Sequence, residues 1–387
     1  MKKKLLSAIL CAAMLASVLA GCGGNGGSGS STGGDANAPA ADEGGADAGD
    51  DAQAPSDAGD DAQAPSDAGE TSGDSGETSY AILVKSAGNP YNKKMIEGFQ
   101  EVMDAQGATC VVKEPEEASA EAQIKMINEL VAQGISSIAI AGNDADALQP
   151  ALEQAMNQGI KVCCMDSAVN ADSRQLFVNQ AGIEIIGETL MEAVYDITGG
   201  EGQWAILSAT SQATNQNAWI DAMKQVMEDE KYAGLELVEV AYGDDEYQKS
   251  VDQTQALLTN YPDLKVICAP TTVGIMAAAK VLQDENSSVK LTGLGLPSEM
   301  ADYIGADDTH SCPYMYLWNP IDIGRLTAYV SLALVDGSIT GASGETFTAG
   351  DLGEYTISEA ADGGTEVVLG PPFAFTPDNI EEWKNVY

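Results

Sequence analysis

From residue 80 onwards, the chain alternates short apolar runs with longer segments of helical apolar spacing. This alternation limits the folds that the chain can adopt. The predicted strands are residues 80–84, 137–141, 161–165, 203–208, 265–269 and 290–294. The predicted helices are residues 91–106, 121–133, 147–158, 183–197, 217–228, 247–258 and 272–283. Because repeated strand–helix order joins parallel strands, the sequence predicts an α/β fold of parallel sheets flanked by helices. Residues 80–387 are enough for two domains with separate cores.

The N-terminus has the pattern of an export leader. Lys2, Lys3 and Lys4 precede an apolar stretch that is too short to cross a hydrocarbon core of ~30 Å as a mature helix. The stretch ends in small residues followed by Cys22, which resembles a bacterial lipobox. That resemblance implies that residues 1–22 comprise a lipoprotein signal and its lipidation site: cleavage occurs directly before Cys22, which becomes the lipidated, palmitate-bearing N-terminus. The alternative is an ordinary secretory signal with a chance cysteine.

Residues 23–79 have the composition of a tether. The segment consists mainly of Gly, Ser, Ala, Asp and Pro, contains no Lys or Arg, and repeats residues 47–56 as 57–66. Such a composition cannot form a core, so we expect a disordered acidic linker with a reach of about 40 Å. The formal net charge of −41 also excludes nucleic acid as a partner, because phosphate binding requires a basic surface.

The residues needed for catalysis or metal binding do not occur in suitable patterns. The chain has seven cysteines without CxxC spacing, and a single histidine, His310. Four cysteines lie in apolar runs, where a thiol packs as a small hydrophobe: Cys110, Cys163, Cys164 and Cys268. The sequence does not determine whether Cys163 or Cys164 forms a disulfide. We therefore predict no enzyme activity, no catalytic residue, no metal and no cofactor.

Polar residues follow the predicted strands, where the ligand crevice of a parallel sheet lies. Carboxylate, amide and lysine groups together suit the paired hydroxyls of a small polyol, and aromatic rings suit the apolar face of a sugar. Several of these residues have structural alternatives: Asp146 as a helix N-cap, Asn89 in a turn and Trp318 in the core. The candidate ligand residues are Lys85, Asn89, Tyr91, Asp146, Asp166, Asn215, Gln216, Pro270, Thr272 and Trp318.

Several segments in the same order resemble type I periplasmic sugar-binding proteins, and specifically their rhamnose-binding branch. The segments are residues 85–91, 177–180, 216–220, 269–275, 293–300, 317–320 and 370–373. The related autoinducer-2 receptors have a ligand pattern similar to Lys85, Asp146, Asp166, Gln216 and Pro270. Their pattern has Asp and Ala where this chain has Asn215 and Thr272, which favours rhamnose.

The resemblance implies two Rossmann-like lobes joined by a three-segment hinge that closes on a ligand. We expect residues 80–184 and 313–342 in the N-terminal lobe, and residues 185–312 and 343–387 in the C-terminal lobe. The expected function is sugar binding for an ABC permease and its ATPase, by a monomer anchored through lipid to the extracytoplasmic face of the cell membrane. An autoinducer-2 receptor is the alternative. A repressor of this fold is disfavoured by the export signal.

Overall fold

The computed structural model describes residues 78–387 of the 387-residue chain. The predicted leader, the lipidation site at Cys22 and nearly all of the predicted linker lie outside the described residues, so these stay predictions.

The described chain alternates strands and helices up to residue 300 and then continues with shorter elements. The strands are β1 Ser79–Leu83, β2 Thr109–Lys113, β3 Ser137–Ile140, β4 Lys161–Met165, β5 Leu176–Asn179, β6 Gly202–Ser208, β7 Leu235–Tyr242, β8 Leu264–Ala269, β9 Lys290–Gly293, β10 Met315–Leu317, β11 Thr346–Thr348, β12 Glu354–Thr356, β13 Ser358–Glu359, β14 Thr365–Val368 and β15 Phe373–Phe375. The α-helices are α1 Pro90–Gln106, α2 Ala120–Ala132, α3 Ala145–Asn157, α4 Ile183–Thr198, α5 Thr214–Val226, α6 Tyr247–Asn260, α7 Thr272–Asp284, α8 Pro297–Met300, α9 Pro320–Asp336 and α10 Ile380–Trp383. Short 3-10 helices occur at Ala171–Ser173, Glu230–Tyr232, Ala301–Tyr303 and Gly350–Leu352.

The first sheet has the strand order β13-β14-β5-β4-β3-β1-β2. All of its pairs are parallel except the antiparallel pair of β13 with β14. Side chains alternate between its two faces, as the period of a strand requires. Ile82 and Cys163 pack into the core on one side, whereas Leu83 and Cys164 pack into a separate core on the other. Helices α1 and α9 contact one another, and α2 contacts α3.

The second sheet has the order β7-β6-β8-β9, and its strands are all parallel. Helix α4 contacts β8, β9 and α5, whereas α6 and α7 contact each other and the sheet. Trp204 on β6 is fully buried and is among the largest side chains of the core. The predicted α/β class with parallel sheets is confirmed.

The described chain passes between the two sheets three times. It leaves the first sheet after β5, returns between β10 and α9, and leaves again between β14 and β15, which pairs with β10. The first and third passages are hydrogen-bonded to each other, because Leu369 N–H donates to Asn179 O at 2.8 Å and Gly370 N–H to Gln180 O at 3.2 Å.

This connectivity corrects one part of the predicted lobe assignment. Residues 343–387 were all expected in the C-terminal lobe, but β14 pairs in parallel with β5 and brings β13 with it into the first sheet. The physical reason is that β5 otherwise presents an unpaired edge, which β14 covers. The other lobe boundaries stay predictions.

Helices α1 and α9 cross with their backbones in close contact. A Cβ atom on Gly98 would lie 1.9 Å from Ile321 O, and one on Gly324 would lie 1.9 Å from Met95 O. Only glycine permits this approach, which holds the beginning of α9 against the middle of α1. Both helices begin at a proline that follows an asparagine cap, Asn89 for α1 and Asn319 for α9.

The predicted cysteine environments agree with the structure except at one position. The five cysteines of the described region are free thiols, and all but Cys110 are buried. Cys110 is half-buried because it lies on the edge strand β2. None of the described helices is long and apolar enough to cross a membrane.

Candidate functional site

The carboxyl ends of strands from both sheets surround one cavity. Its volume is about 50 Å³, measured as the space open to the centre of a water molecule. One water needs roughly 10–15 Å³ on this measure, so the cavity suits a small molecule of several water volumes. The lining residues are Lys85, Asn89, Tyr91, Asn92, Ala118, Asn143, Asp166, Ala209, Thr210, Ala213, Asn215, Gln216, Trp219, Asp245, Pro270, Thr271, Thr272, Leu294, Leu317 and Trp318.

Asp166, directly after β4, is the buried carboxylate of the cavity. Its Oδ1 accepts a hydrogen bond from Tyr91 Oη at 3.0 Å, and its Oδ2 accepts one from Asn215 Nδ2 at 3.2 Å. Lys85 Nζ lies 4.0 Å from the same Oδ2. Burial raises the pKa of Asp166, and the charge of Lys85 and the bond from Tyr91 oppose that rise.

Lys85, after β1, reaches across the cavity to the second half of the molecule. Its ammonium donates to Asn215 Oδ1 at 2.9 Å. Burial lowers the pKa of Lys85, while Asp166 and Asp245 act against this shift. Lys85 and Asp166 compensate each other's charge, and both oxygens of Asp245 already accept hydrogen bonds, so the cavity favours a neutral ligand over an anion or a cation.

Aromatic side chains form the opposite wall of the cavity. Trp318 Nε1 donates to Tyr91 Oη at 2.6 Å, which satisfies the indole N–H and fixes the phenol that contacts Asp166. Trp219 packs edge-on against Trp318 with ring centroids 5.7 Å apart. Leu294 and Leu317 complete an apolar surface beside the polar groups.

Gln216 lies at the start of α5 and holds the loop after β6. Its Oε1 accepts from Ser208 Oγ and from Ala209 N–H, both at 2.7 Å. Between residues 78 and 387, no hydrogen-bond acceptor contacts its Nε2. Because Gln216 lines the cavity, this amide N–H group is free to donate to a ligand hydroxyl.

Asn89 and Thr272 connect the two sides of the cavity. Thr272 Oγ1 donates to Asn89 Oδ1 at 3.0 Å, and Asn89 Nδ2 donates to Asp245 Oδ2 at 3.0 Å. Asn89 also caps helix α1 by accepting from Tyr91 N–H at 2.9 Å. The turn and capping role expected as an alternative for Asn89 is therefore present together with its place in the cavity.

Every predicted ligand residue except Asp146 lines the cavity. Asp146 is exposed and accepts from Asn170 Nδ2 at 2.9 Å, outside the cavity. It does not cap α3 either, because Asp144 accepts from Ala147 N–H at 3.0 Å. The cavity position after β3 is occupied by Asn143, whose Nδ2 donates to Lys85 O at 3.1 Å.

The sequence prediction missed several lining residues. Asn143 stands next to the predicted position in the loop after β3, and Thr271 stands between two predicted residues. Trp219 belongs to a segment that carried the family resemblance but was not assigned to the site. Asp245 follows β7, which was not among the predicted strands. In residues 78–387, no cluster of three or more metal-ligating side chains occurs.

Comparison with known proteins identifies the family to which this fold belongs. A family model described as "Periplasmic binding protein domain" matches residues 80–339. The chain belongs to this periplasmic binding protein family. The matching family and the relatives at 25% identity or more are binding or transport proteins rather than enzymes, which confirms the prediction that this chain is a binding protein and not an enzyme.

Solved structures resemble the chain over most of its length. A crystal structure of an ABC transporter solute-binding protein from Clostridium phytofermentas with bound L-rhamnose is 62% identical, covers 81% of this chain and 99% of that chain, and has a TM-score of 0.80. A sugar ABC transporter structure from Actinomyces odontolyticus is 41% identical over 79% of this chain and 97% of that chain, with a TM-score of 0.62.

Of two more distant relatives, one resembles the chain in fold and the other matches it in sequence. LsrB from Clostridium saccharobutylicum in complex with AI-2 is 20% identical, covers 79% of this chain and 99% of that chain, and has a TM-score of 0.74. A D-ribose/D-allose-binding protein from Pseudomonas aeruginosa is 25% identical over 49% of this chain, and the match spans 58% of that curated protein. The predicted resemblance to sugar-binding proteins of this class is confirmed.

Proposed function

We propose that this protein is the extracytoplasmic solute-binding component of an ABC sugar importer and that its ligand is L-rhamnose or a similar deoxyhexose. The observation that carries the proposal is the two-sided cavity, with balanced polar groups facing an aromatic and aliphatic wall. The 62% identical relative holds L-rhamnose, which supports the choice of sugar.

Each side of the cavity has a role in recognising such a sugar. Asp166 accepts hydrogen bonds from hydroxyls, Lys85 donates to them, and the amide of Gln216 adds a further donor. The wall of Trp219, Trp318 and the two leucines receives the apolar ring face and the methyl group. In a sugar with a hydroxyl on carbon 6 instead of a methyl group, that hydroxyl would lie against this apolar wall, which offers it no hydrogen-bond partner.

Ligand binding is coupled to closure between the two halves of the molecule. Asp166 and Lys85 come from the first sheet and Asn215 from the second, so a sugar held by all three joins both halves. A ligand that binds the closed state preferentially shifts the population towards it. The closed protein then offers its permease a surface composed of both halves, which makes transport selective for the loaded form.

The anchoring proposal rests on the sequence of the N-terminal segment. A lipid on Cys22 followed by an acidic linker keeps the binding domain close to the permease, and we infer a monomer on the extracytoplasmic face of the membrane. Fractionation of cells that produce Cys22→Ser tests this arrangement: the variant leaves the membrane fraction if the lipid anchors the protein, and unchanged membrane retention contradicts the proposal.

Calorimetric titration with a matched pair of sugars tests the ligand. L-mannose has the stereochemistry of L-rhamnose but carries a hydroxyl on carbon 6. We expect 1:1 binding of L-rhamnose with a dissociation constant in the micromolar range or tighter, and at least about tenfold weaker binding of L-mannose, because an unpaired hydroxyl costs about 1–3 kcal/mol. Equal affinities contradict the deoxyhexose proposal. Binding of autoinducer-2 without L-rhamnose assigns the protein to signal reception instead.

A further inference from the structure

Asp245 lies at the boundary between the sugar cavity and a second, larger depression. That depression, the acidic groove, has a volume of about 440 Å³ and is lined by carboxylates from both halves of the molecule, among other residues. The carboxylates are those of Glu116, Glu117, Asp244, Asp245 and Glu246. Asp245 and Ala118 line both the cavity and the groove, so they form part of the wall that separates them.

Both oxygens of Asp245 are used in hydrogen bonds. Oδ1 accepts from Thr271 Oγ1 at 3.1 Å within the second half, and Oδ2 accepts from Asn89 Nδ2 at 3.0 Å across the cleft. Asn89 is held in turn by Thr272 Oγ1 at 3.0 Å and by its bond to the first turn of α1. Each of these side chains therefore has defined partners in the closed arrangement.

The backbone at Asp245 is held in an unusual conformation. Its φ is 57° and that of Asp244 is 52°, both in the left-handed region that only Gly, Asn and Asp adopt readily. Asp244 uses its carboxylate differently, in an ion pair with Lys249 on α6. The two adjacent aspartates thus share backbone geometry but differ in what their side chains contact.

We propose that Asp245 is a positioning residue that fastens the cleft in its closed state and thereby sets how slowly the bound sugar leaves. The proposal rests on the binding function given above. Asp245 acts through Asn89: the carboxylate holds the amide that spans the mouth of the cavity, while Lys85, Asp166 and Gln216 contact the sugar. When the latch of Asn89, Asp245, Thr271 and Thr272 opens, the cavity joins the acidic groove and the ligand can leave.

Replacing each aspartate by glycine separates the effect of the side chain from that of the positive-φ backbone. Glycine accepts positive φ without strain, so Asp245→Gly removes the latch carboxylate together with its charge near Lys85, and Asp244→Gly removes the neighbouring carboxylate that pairs with Lys249. The first measurement needs no sugar: amide hydrogen exchange of the full-length protein over residues 86–92, which belong to the other side of the cleft. Asp245→Gly should accelerate exchange there several-fold, and Asp244→Gly should leave it unchanged. Equal exchange in both variants overturns the latch.

The second measurement is the dissociation rate of L-rhamnose in a stopped-flow experiment that follows tryptophan fluorescence. We expect Asp245→Gly to raise this rate about tenfold or more, with the association rate changed less than about threefold, because hydrogen bonds to a charged group contribute more than neutral ones. Asp244→Gly should stay within about twofold of the wild type. A dissociation rate for Asp245→Gly within that same range overturns the proposal.

A third variant tests whether Asp245 acts through Asn89. Asn89→Ser keeps a helix-capping hydroxyl but cannot reach Asp245. If Asp245 acts through Asn89, the dissociation rate of the double variant should not exceed that of the faster single variant. If the effects of the two single substitutions on the rate multiply in the double variant, Asp245 does not act through Asn89. If the wild type binds none of the sugars, the proposed ligand fails, while the sugar-free exchange measurement still decides whether the latch exists.

Discussion

At the scale of the residue, Asp166 combines two unfavourable features in one position. Its φ is 59°, and the turn around it is closed by a bond from Ser167 N–H to Met165 O. The side chain is also withdrawn from solvent, which raises its pKa. Backbone strain and buried charge both reduce stability. Contacts in the rest of the fold must therefore hold Asp166 in this conformation. We attribute these costs to ligand binding, since Asp166 presents its carboxylate to the cavity.

Asp166→Asn should therefore increase stability while it weakens sugar binding. Asparagine tolerates positive φ and can keep the contacts to Tyr91 and Asn215, but it has no charge to desolvate. At pH 7, we expect a higher free energy of unfolding for the variant in denaturant titrations. We also expect at least about tenfold weaker L-rhamnose binding, because a charge-assisted hydrogen bond is lost. A variant with lower stability at neutral pH contradicts the assignment of burial as the dominant effect.

The pH dependence of this difference has a defined sign. The folded-state pKa of Asp166 is raised above its ordinary value, so the wild type gives up stability as the pH rises from that ordinary value through the folded pKa. Below the ordinary pKa, the Asp166 carboxyl group is neutral in both the folded and the unfolded protein. The wild type and Asp166→Asn should then be similarly stable. The gap should open as the pH rises through this window and stay constant above it. A gap that is largest in acid contradicts this interpretation.

At the scale of the element, the sequence predicts β1, β3, β4, β6, β8 and β9 because they form short apolar runs, but it does not predict β2, β5 or β7. Strand β7 escapes this criterion: Glu236 and Glu239 interrupt its apolar residues, since it lies at the edge of its sheet and faces solvent on one side. Missing β7 means missing the loop after it, and with it Asp245. An edge strand whose apolar residues are interrupted by carboxylates is therefore not found by its apolar run alone.

The position of Asp146 outside the cavity has a different cause. The prediction began helix α3 near residue 147, whereas the helix begins at Ala145. This difference places Asp146 inside the first turn, on the exposed side, and leaves Asp144 as the cap. Helix boundaries depend on which of several adjacent polar residues makes the capping bond, and composition alone does not distinguish Asp144 from Asp146.

The crossing of α1 and α9 gives a prediction about packing. Gly98→Ala should lower the free energy of unfolding by about 2 kcal/mol, because its methyl group would overlap the backbone oxygen of Ile321 and force the helices apart. Better helix propensity offsets part of the strain. Gly370→Ala is the control, since a Cβ there meets nothing within 4 Å. Equal denaturation midpoints for the two variants would show that the helices can separate without cost.

At the scale of the whole molecule, the sequence predicts two halves, each with a parallel sheet, but not how the end of the chain divides between them. Strands β13 and β14 together are short, and their place depends on pairing with β5, which lies nearly two hundred residues earlier. No local periodicity records a partner at that distance. The family resemblance supplied the three connections, and the pairing of β14 shows that the C-terminal segment holds both halves, with β14 in the first sheet and β15 against β10.

One ion pair fastens this segment to the first half. Arg174 has a side chain only 1% exposed, donates to both oxygens of Asp362 at 2.9 and 2.8 Å, and also donates to Val169 O. Asp362→Ala leaves that guanidinium buried without its countercharge. Because Asp362 is itself 44% exposed, we expect a loss of roughly 2–3 kcal/mol, below the 3–5 kcal/mol typical of a fully buried pair.

The same variant tests whether the two halves unfold together. Since two further chain connections join the halves, loosening the C-terminal segment should lower one common transition in calorimetry rather than split it in two. Glu359→Ala, which removes an exposed carboxylate of the same hairpin, should leave the transition unchanged. If Asp362→Ala separates two transitions, the C-terminal segment supplies the cooperativity between the halves. If it lowers one transition, the connections after β5 and before α9 suffice to couple them.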